Sequence, residues 1–248
     1  MFRRHAALMA SLAISLGAQP PLENSGKPMR VVYECTAADT QAAGLGCSEE
    51  DPCPVYLELS NVAATGSQIF VTGNIHTPMA TLDSIVLASE DSGKTWTEPH
   101  PRVRSSGLDQ LQSLDSQNAW ISGANLQGAP RDPFFLITTD GGKTWWERPI
   151  FEETRVSAIE SFNFDTPMHG TVFIDATLDN NMHEVYETHD GGNTWSVQPG
   201  APKGKPHAAS GWRVRTDAAT HSYVIEQSVN NRWQKVASFL VNIASCKE

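Results

Sequence analysis

What this chain lacks narrows it first. No apolar run is long enough to cross a bilayer. The uncharged, largely apolar stretch from Ala6 to Ala18 is thirteen residues, and no later run approaches membrane length, whereas a spanning helix needs roughly 20. Basic charge is also short, 18 Lys+Arg against 28 Asp+Glu. An acidic surface repels phosphate backbones and anionic lipid, so nucleic acid is excluded as an expected partner and the mature chain is not expected to insert into membranes. Chemistry-bearing motifs are missing as well. There is no H-x-H or H-E-x-x-H, no C-x2-C, no G-x-S-x-G elbow and no phosphate-cradling glycine loop, so no metal and no cofactor is expected. Outside the first residues, no segment shows a sustained helical period.

What is present begins with an export signature. Arg3 and Arg4 precede the apolar run, and Gly17, Ala18, Pro20 and Pro21 follow it. That is the pattern of a secretory signal peptide over 1–18, cleaved near Ala18. With Arg3 and Arg4 gone the formal charge moves from −10 to −12. No cysteine lies in this region, so no lipid anchor is expected, and the mature protein is expected to be secreted or periplasmic. A flexible segment is expected over 19–30, with a single domain over 31–248. Four cysteines remain, and an even count in an exported chain reads first as disulfides. Three connectivities are open on paper. The favoured one is Cys47–Cys53, across the short SEEDP loop, with Cys35–Cys246 joining the chain's two ends.

The strongest signal is a repeat. SEDSGKTW (89–96), TTDGGKTW (138–145) and THDGGNTW (188–195) share the pattern [ST]-x-D-x-G-x-T-W. The boxes comprise Ser89, Asp91, Gly93, Thr95 and Trp96; Thr138, Asp140, Gly142, Thr144 and Trp145; and Thr188, Asp190, Gly192, Thr194 and Trp195. Each aspartate can accept backbone N–H bonds from the turn behind it, each glycine permits positive φ, and each tryptophan supplies a large ring to bury. Strand-like runs flank every box. VYLELS, QIFVTGNI and SIVLAS precede the first; LDQLQSL, NAWISGAN and PFFLITT the second; SAIESFNF, GTVFIDAT and MHEVYET the third. A worn fourth unit reads SGWRVRTDAA, SYVIEQS and RWQKVASFLVNI, with SVNNRW (228–233) standing in for the box. The period of about 50 matches four-stranded propeller blades. The predicted fold is all-β: a small β-propeller of four blades, or five, closed by N- and C-terminal strands. The blades are placed near 55–100, 108–150, 157–200 and 210–246, with RVVYEC (30–35) beside SFLVNIASC at the closure.

These boxes identify the chain as similar to the Asp-box, or bacterial neuraminidase repeat, β-propeller superfamily over most of residues 55–233. Sialidases, the photosystem II assembly-factor group, sortilin-like receptors and some xyloglucan-degrading enzymes look alike at this level. The resemblance implies that the box marks the turn between the third and fourth strands of a blade, away from any catalytic face. It would also imply, for a sialidase, an arginine triad, a Tyr–Glu nucleophile couple, an acid/base aspartate and an early Arg-Ile-Pro motif. RVVYE (30–34) does not match that motif, so no catalytic residue is assigned. Glu184 and Tyr186 share a strand face but are read as a coincidence of alternation. Weak ligand candidates are Arg213 and Arg215, which share one strand face, and Trp146, which points opposite to Trp145. The expected role is a non-enzymatic interaction scaffold for a protein or glycan. The alternative is a glycan-binding or glycoside-hydrolysing, sialidase-like protein.

Overall fold

A computed structural model describes residues 20–180, 182–199 and 211–247, and the expected signal peptide lies outside them. The chain is nearly all β. Among the described residues three sheets have four antiparallel strands, a fourth has three, and a small fifth pairs two short strands. The first sheet runs Asn242–Cys246, Cys53–Thr65, Gln68–His76 and Thr81–Ser89 from one edge to the other; the second holds Ser106–Ser113, Ala119–Asn125, Arg131–Thr138 and Trp146–Pro149. Ala158–Phe164, Gly170–Ala176, Met182–Thr188 and Ser196–Val197 form the third, and Trp212–Asp217, Ser222–Val229 and Arg232–Leu240 the fourth. The first strand of each repeat carries a bulge at the same place, between Leu59 and Asn61, Leu108 and Gln110, and Ile159 and Ser161. Bulges increase local twist, so three at one position give the repeats a common curvature.

Side-chain size explains how one sheet meets the next. In the first sheet Phe70 pairs across strands with Ala88, and in the second Trp120 pairs with Ile137. Phe70 and Ala88 are buried against Leu108, Ile121 and Trp145 of the second sheet. Trp120 and Ile137 are buried against Phe162, Phe164 and Val172 of the third. Each box seats on the preceding sheet: a Cβ on Gly142 would meet Phe70, one on Gly192 would meet Ile137, and one on Gly93 would meet Val236 of the fourth sheet. The packing order is therefore fourth, first, second, third. In the third sheet the corresponding cross-strand pair is Thr171 and Glu187. Among the described residues no hydrophobic cluster joins that face to the fourth sheet.

Four expectations about the fourth unit and the chain's ends need correcting. The C-terminal strand joins the first sheet, not the fourth, so the unit expected over 210–246 ends as a sheet at Leu240. Its partner is Cys53–Thr65, with Cys246 opposite Cys53, and not residues 30–35. Those residues do alternate as a strand should, Val31 buried and Val32 exposed, but the backbone beside them pairs with the fourth sheet, where Met29 bridges Phe239. The turn at Asn230-Asn231 is a two-residue hairpin with both residues at positive φ, joining the second and third strands of its sheet. It is not a box, because box turns follow a third strand. The segment 19–30, expected to be flexible, is tied down in part. Leu22–Glu23 pairs with Thr95–Trp96, and Asn24 Nδ2 donates to the carbonyls of Gly93 and Val236 at 2.7 and 2.8 Å. Disulfides join Cys35 to Cys246 and Cys47 to Cys53, which fits an oxidising compartment. No helix among the described residues is long and apolar enough to cross a membrane.

Candidate functional site

The three box corners repeat almost bond for bond. Ser89 Oγ donates to Asp91 Oδ1 at 2.8 Å and accepts the Gly93 N–H at 2.8 Å; Thr95 gives its N–H to Oδ1 and its hydroxyl to Oδ2. Thr138, Asp140, Gly142 and Thr144 reproduce this, as do Thr188, Asp190, Gly192 and Thr194. Both oxygens of every box carboxylate are occupied by the turn. Bonds from Thr95 hold Asp91's carboxyl down to about 2, and those from Thr144 lower Asp140. Asp190 is lowered too, although burial works against the Thr194 bonds. A carboxylate engaged in this way holds the corner together.

This sets an acid sensitivity. A carboxyl held below its unfolded value adds stability that is present above about pH 4 and is lost as pH falls through the folded value. For Asp91 that window runs from about 4 down to about 2. Asp91→Asn should therefore be less stable than the parent at neutral pH, with the gap between their thermal midpoints narrowing across the window. A gap of constant size down to pH 2 would show that the charged form contributes nothing.

The sequence-nominated residues separate. Arg213 and Arg215 do not converge on open space: both pair with the buried Glu226, at 2.7 and 3.5 Å, and the Arg213 guanidinium lies 4.1 Å from the centre of the Trp233 ring. Trp146 is 42% exposed. It lines a groove of about 310 Å³ between the second and third sheets, together with Met168, Arg148, Pro167 and Asn193. Met168 is 56% exposed. The groove thus has an apolar wall, and Arg148 Nε donates to Asn193 Oδ1 at 3.2 Å on its rim.

Glu184 and Tyr186 do meet, with Tyr186 Oη donating to Glu184 Oε2 at 2.8 Å. Arg155 also grips Glu184 with two bonds of 2.7 Å and packs over Phe151. The Arg155 hydrogen bonds hold Glu184 at about 2, while burial and then Glu184 push Tyr186 up. Glu184 is thus engaged by Arg155 and Tyr186 together. The cluster clamps the wall of a neighbouring cleft of about 760 Å³ that runs from Arg148 to Trp195. On the inner strands, Asp109 is pushed above its ordinary value by burial and then by the Glu58 carboxylate.

One cluster among the described residues has a cation-binding donor set: His169, Glu187 and His189. His169 Nε2 lies 2.8 Å from Glu187 Oε1, and its Nδ1 lies 2.6 Å from Asp165 Oδ1. Bonding to Asp165 first, then to Glu187, holds the His169 imidazole above its ordinary value. Sequence spacing hid this group, because His169 lies on a different strand end from the E-x-H pair and only the sheet register joins them.

No family model and no curated protein matches the sequence. Solved structures do. A GH74 xyloglucanase from Xanthomonas campestris aligns with a TM-score of 0.42 and 14% identity over 69% of this chain and 27% of its own. YCF48 bound to a D1 peptide gives 0.40 and 14% over 74% and 54%. YCF48 from Cyanidioschyzon merolae gives 0.39 and 13% over 85% and 58%. The chain spans less than two thirds of the length of each of these structures.

Proposed function

We propose that this chain is a non-catalytic interaction module of the Asp-box propeller type that works outside the cytoplasm. It holds a protein partner on the rim between its second and third sheets. The observation that carries this reading is the groove walled by Trp146 and Met168. Two large, partly exposed apolar side chains line this one groove, with an arginine on the rim, which is the composition of a protein-binding hot spot. The nearby Arg155, Glu184 and Tyr186 cluster is satisfied internally, and the apolar wall is a feature with unspent binding capacity. Two disulfides fit the expected export.

A photo-crosslinking amino acid placed at Asn193 in the mature chain tests it. A discrete protein adduct should form in the native compartment and disappear in the W146S/M168S double variant, whose unfolding should be unchanged. An adduct indifferent to both substitutions would overturn the groove as the docking site. A second reading, glycoside hydrolysis, is favoured by the Glu58 and Asp109 carboxylates on adjacent inner strands, where burial and then the Glu58 charge push Asp109 above its ordinary value. Turnover of any fluorogenic glycoside that is abolished in Asp109→Asn would replace the first reading with this one.

A further inference from the structure

We propose that His169, Glu187 and His189 form a divalent transition-metal site, of the kind zinc occupies, on the outward rim of the third sheet. The backbone builds it from register. Gly170 stands opposite Thr188 and Thr171 opposite Glu187, so His169, one residue before Gly170, falls beside His189. Thr188 is 1% exposed and points inward to cap the box turn. Its neighbours on both sides therefore share the opposite, outward face, since successive strand residues alternate. The two imidazole rings are 5.1 Å apart, His189 Nε2 is 3.7 Å from Glu187 Oε2, and all three donor atoms lie within 4.8 Å of one another. Ligands at about 2.0–2.2 Å from one zinc ion need only small rotations from that arrangement.

Two further features point the same way. Asp165 sits on the far nitrogen of His169 at 2.6 Å, where a carboxylate fixes the ring and leaves Nε2 facing the other donors. The turn carrying it is held independently, because Thr166 Oγ1 accepts the N–H groups of Met168 and His169. The set is also peculiar to this repeat. At the register positions of Glu187 and His189 the first sheet has Ala88 and Glu90, and the second has Ile137 and Thr139. Ala88 and Ile137 are buried by the following sheet, whereas the Glu187 side chain is 27% exposed. Two imidazoles and one carboxylate suit Zn²⁺ and its neighbours in the first transition row, and disfavour Mg²⁺ or Ca²⁺, which prefer all-oxygen shells.

Isothermal titration of the untagged mature chain with Zn²⁺ at neutral pH tests the site. One equivalent should bind, at least tenfold more tightly than Mg²⁺ or Ca²⁺, and should raise the thermal midpoint. His189→Ala, at an exposed position, and Glu187→Gln should each remove saturable binding while the metal-free fold melts as before. Asp165→Asn should weaken binding by about 10–100-fold. Cobalt substitution should give the visible absorption of a low-symmetry, four-coordinate ion. Absence of saturable Zn²⁺ binding to the parent chain would overturn the proposal, as would undiminished binding in the H169A/H189A double variant.

Discussion

Trp120→Ala should destabilise this protein by about 3–5 kcal/mol, the range for removing a fully buried aromatic from a core. Trp120 is completely buried, lies flat on Phe164 with ring centroids 4.0 Å apart, and gives its indole N–H to the Gly191 carbonyl at 3.1 Å. That last bond crosses from the second sheet into the box of the third. The substitution therefore removes packing and a tie between sheets at once, leaving a cavity that Phe135 and Trp195 cannot fill without breaking their own stacking. Trp195→Ala should cost markedly less, because that ring is only partly buried and its N–H has no partner among the described residues. Urea unfolding of the two variants beside the parent decides the matter. A Trp120→Ala loss below about 1 kcal/mol would mean that this ring does not join the two sheets.

The same ring shows where sequence reading reaches its limit. The boxes are legible because their chemistry is local: a hydroxyl, a carboxylate and a glycine within seven positions satisfy one another, and no distant residue is needed to draw the turn. The strands between them are legible from apolar runs and spacing. Trp120 has no motif around it, and its importance comes from the Phe164 and Gly191 that the fold brings to it. The short helix Ala37–Ala42 was missed because six residues cannot show a helical period. A usable signal was nevertheless present in Thr36 and Asp39, whose carboxylate accepts the Thr36 N–H at 2.9 Å in the manner of a capping box.

The candidate sites divide along the same line. Trp146 could be placed by alternation alone, since Trp145 had to face inward. Arg213 and Arg215 also alternate as expected, but their shared partner Glu226 comes from the adjacent strand, and only the pairing of Arg213 with Glu226 reveals that both are engaged by one carboxylate. The His169, Glu187 and His189 group depends on register in the same way. The third sheet adds a further lesson. Its sequence replaces the Phe70–Ala88 and Trp120–Ile137 pairs with Thr171 and Glu187, so the end of the packed series is encoded by the loss of apolar residues at one repeated position.

Removing the Cys35–Cys246 bond, by C35S/C246S substitution, should be the other large effect. The bond closes a loop with a sequence separation of 211 residues, against 6 for Cys47–Cys53. In the chain-entropy model those closures contribute about 5 and about 2 kcal/mol respectively, because the unfolded chain loses more freedom when the loop is long. Packing adds to the difference. Asn242–Cys246 completes the first sheet by covering the edge of Cys53–Thr65, and Ile243 is buried with Val55 and Leu57 in the cluster shared by the first and fourth sheets. Once untethered, that terminal strand can fray from Cys246 inward, opening the contact between the chain's last sheet and its first. The C35S/C246S variant should therefore melt well below C47S/C53S, and its Val55 and Leu57 amides should exchange with solvent faster while those of Phe135 and Leu136 stay protected. Equal losses in the two variants, or unchanged exchange along Cys53–Thr65, would mean that packing alone holds the closure and the bond is incidental to it.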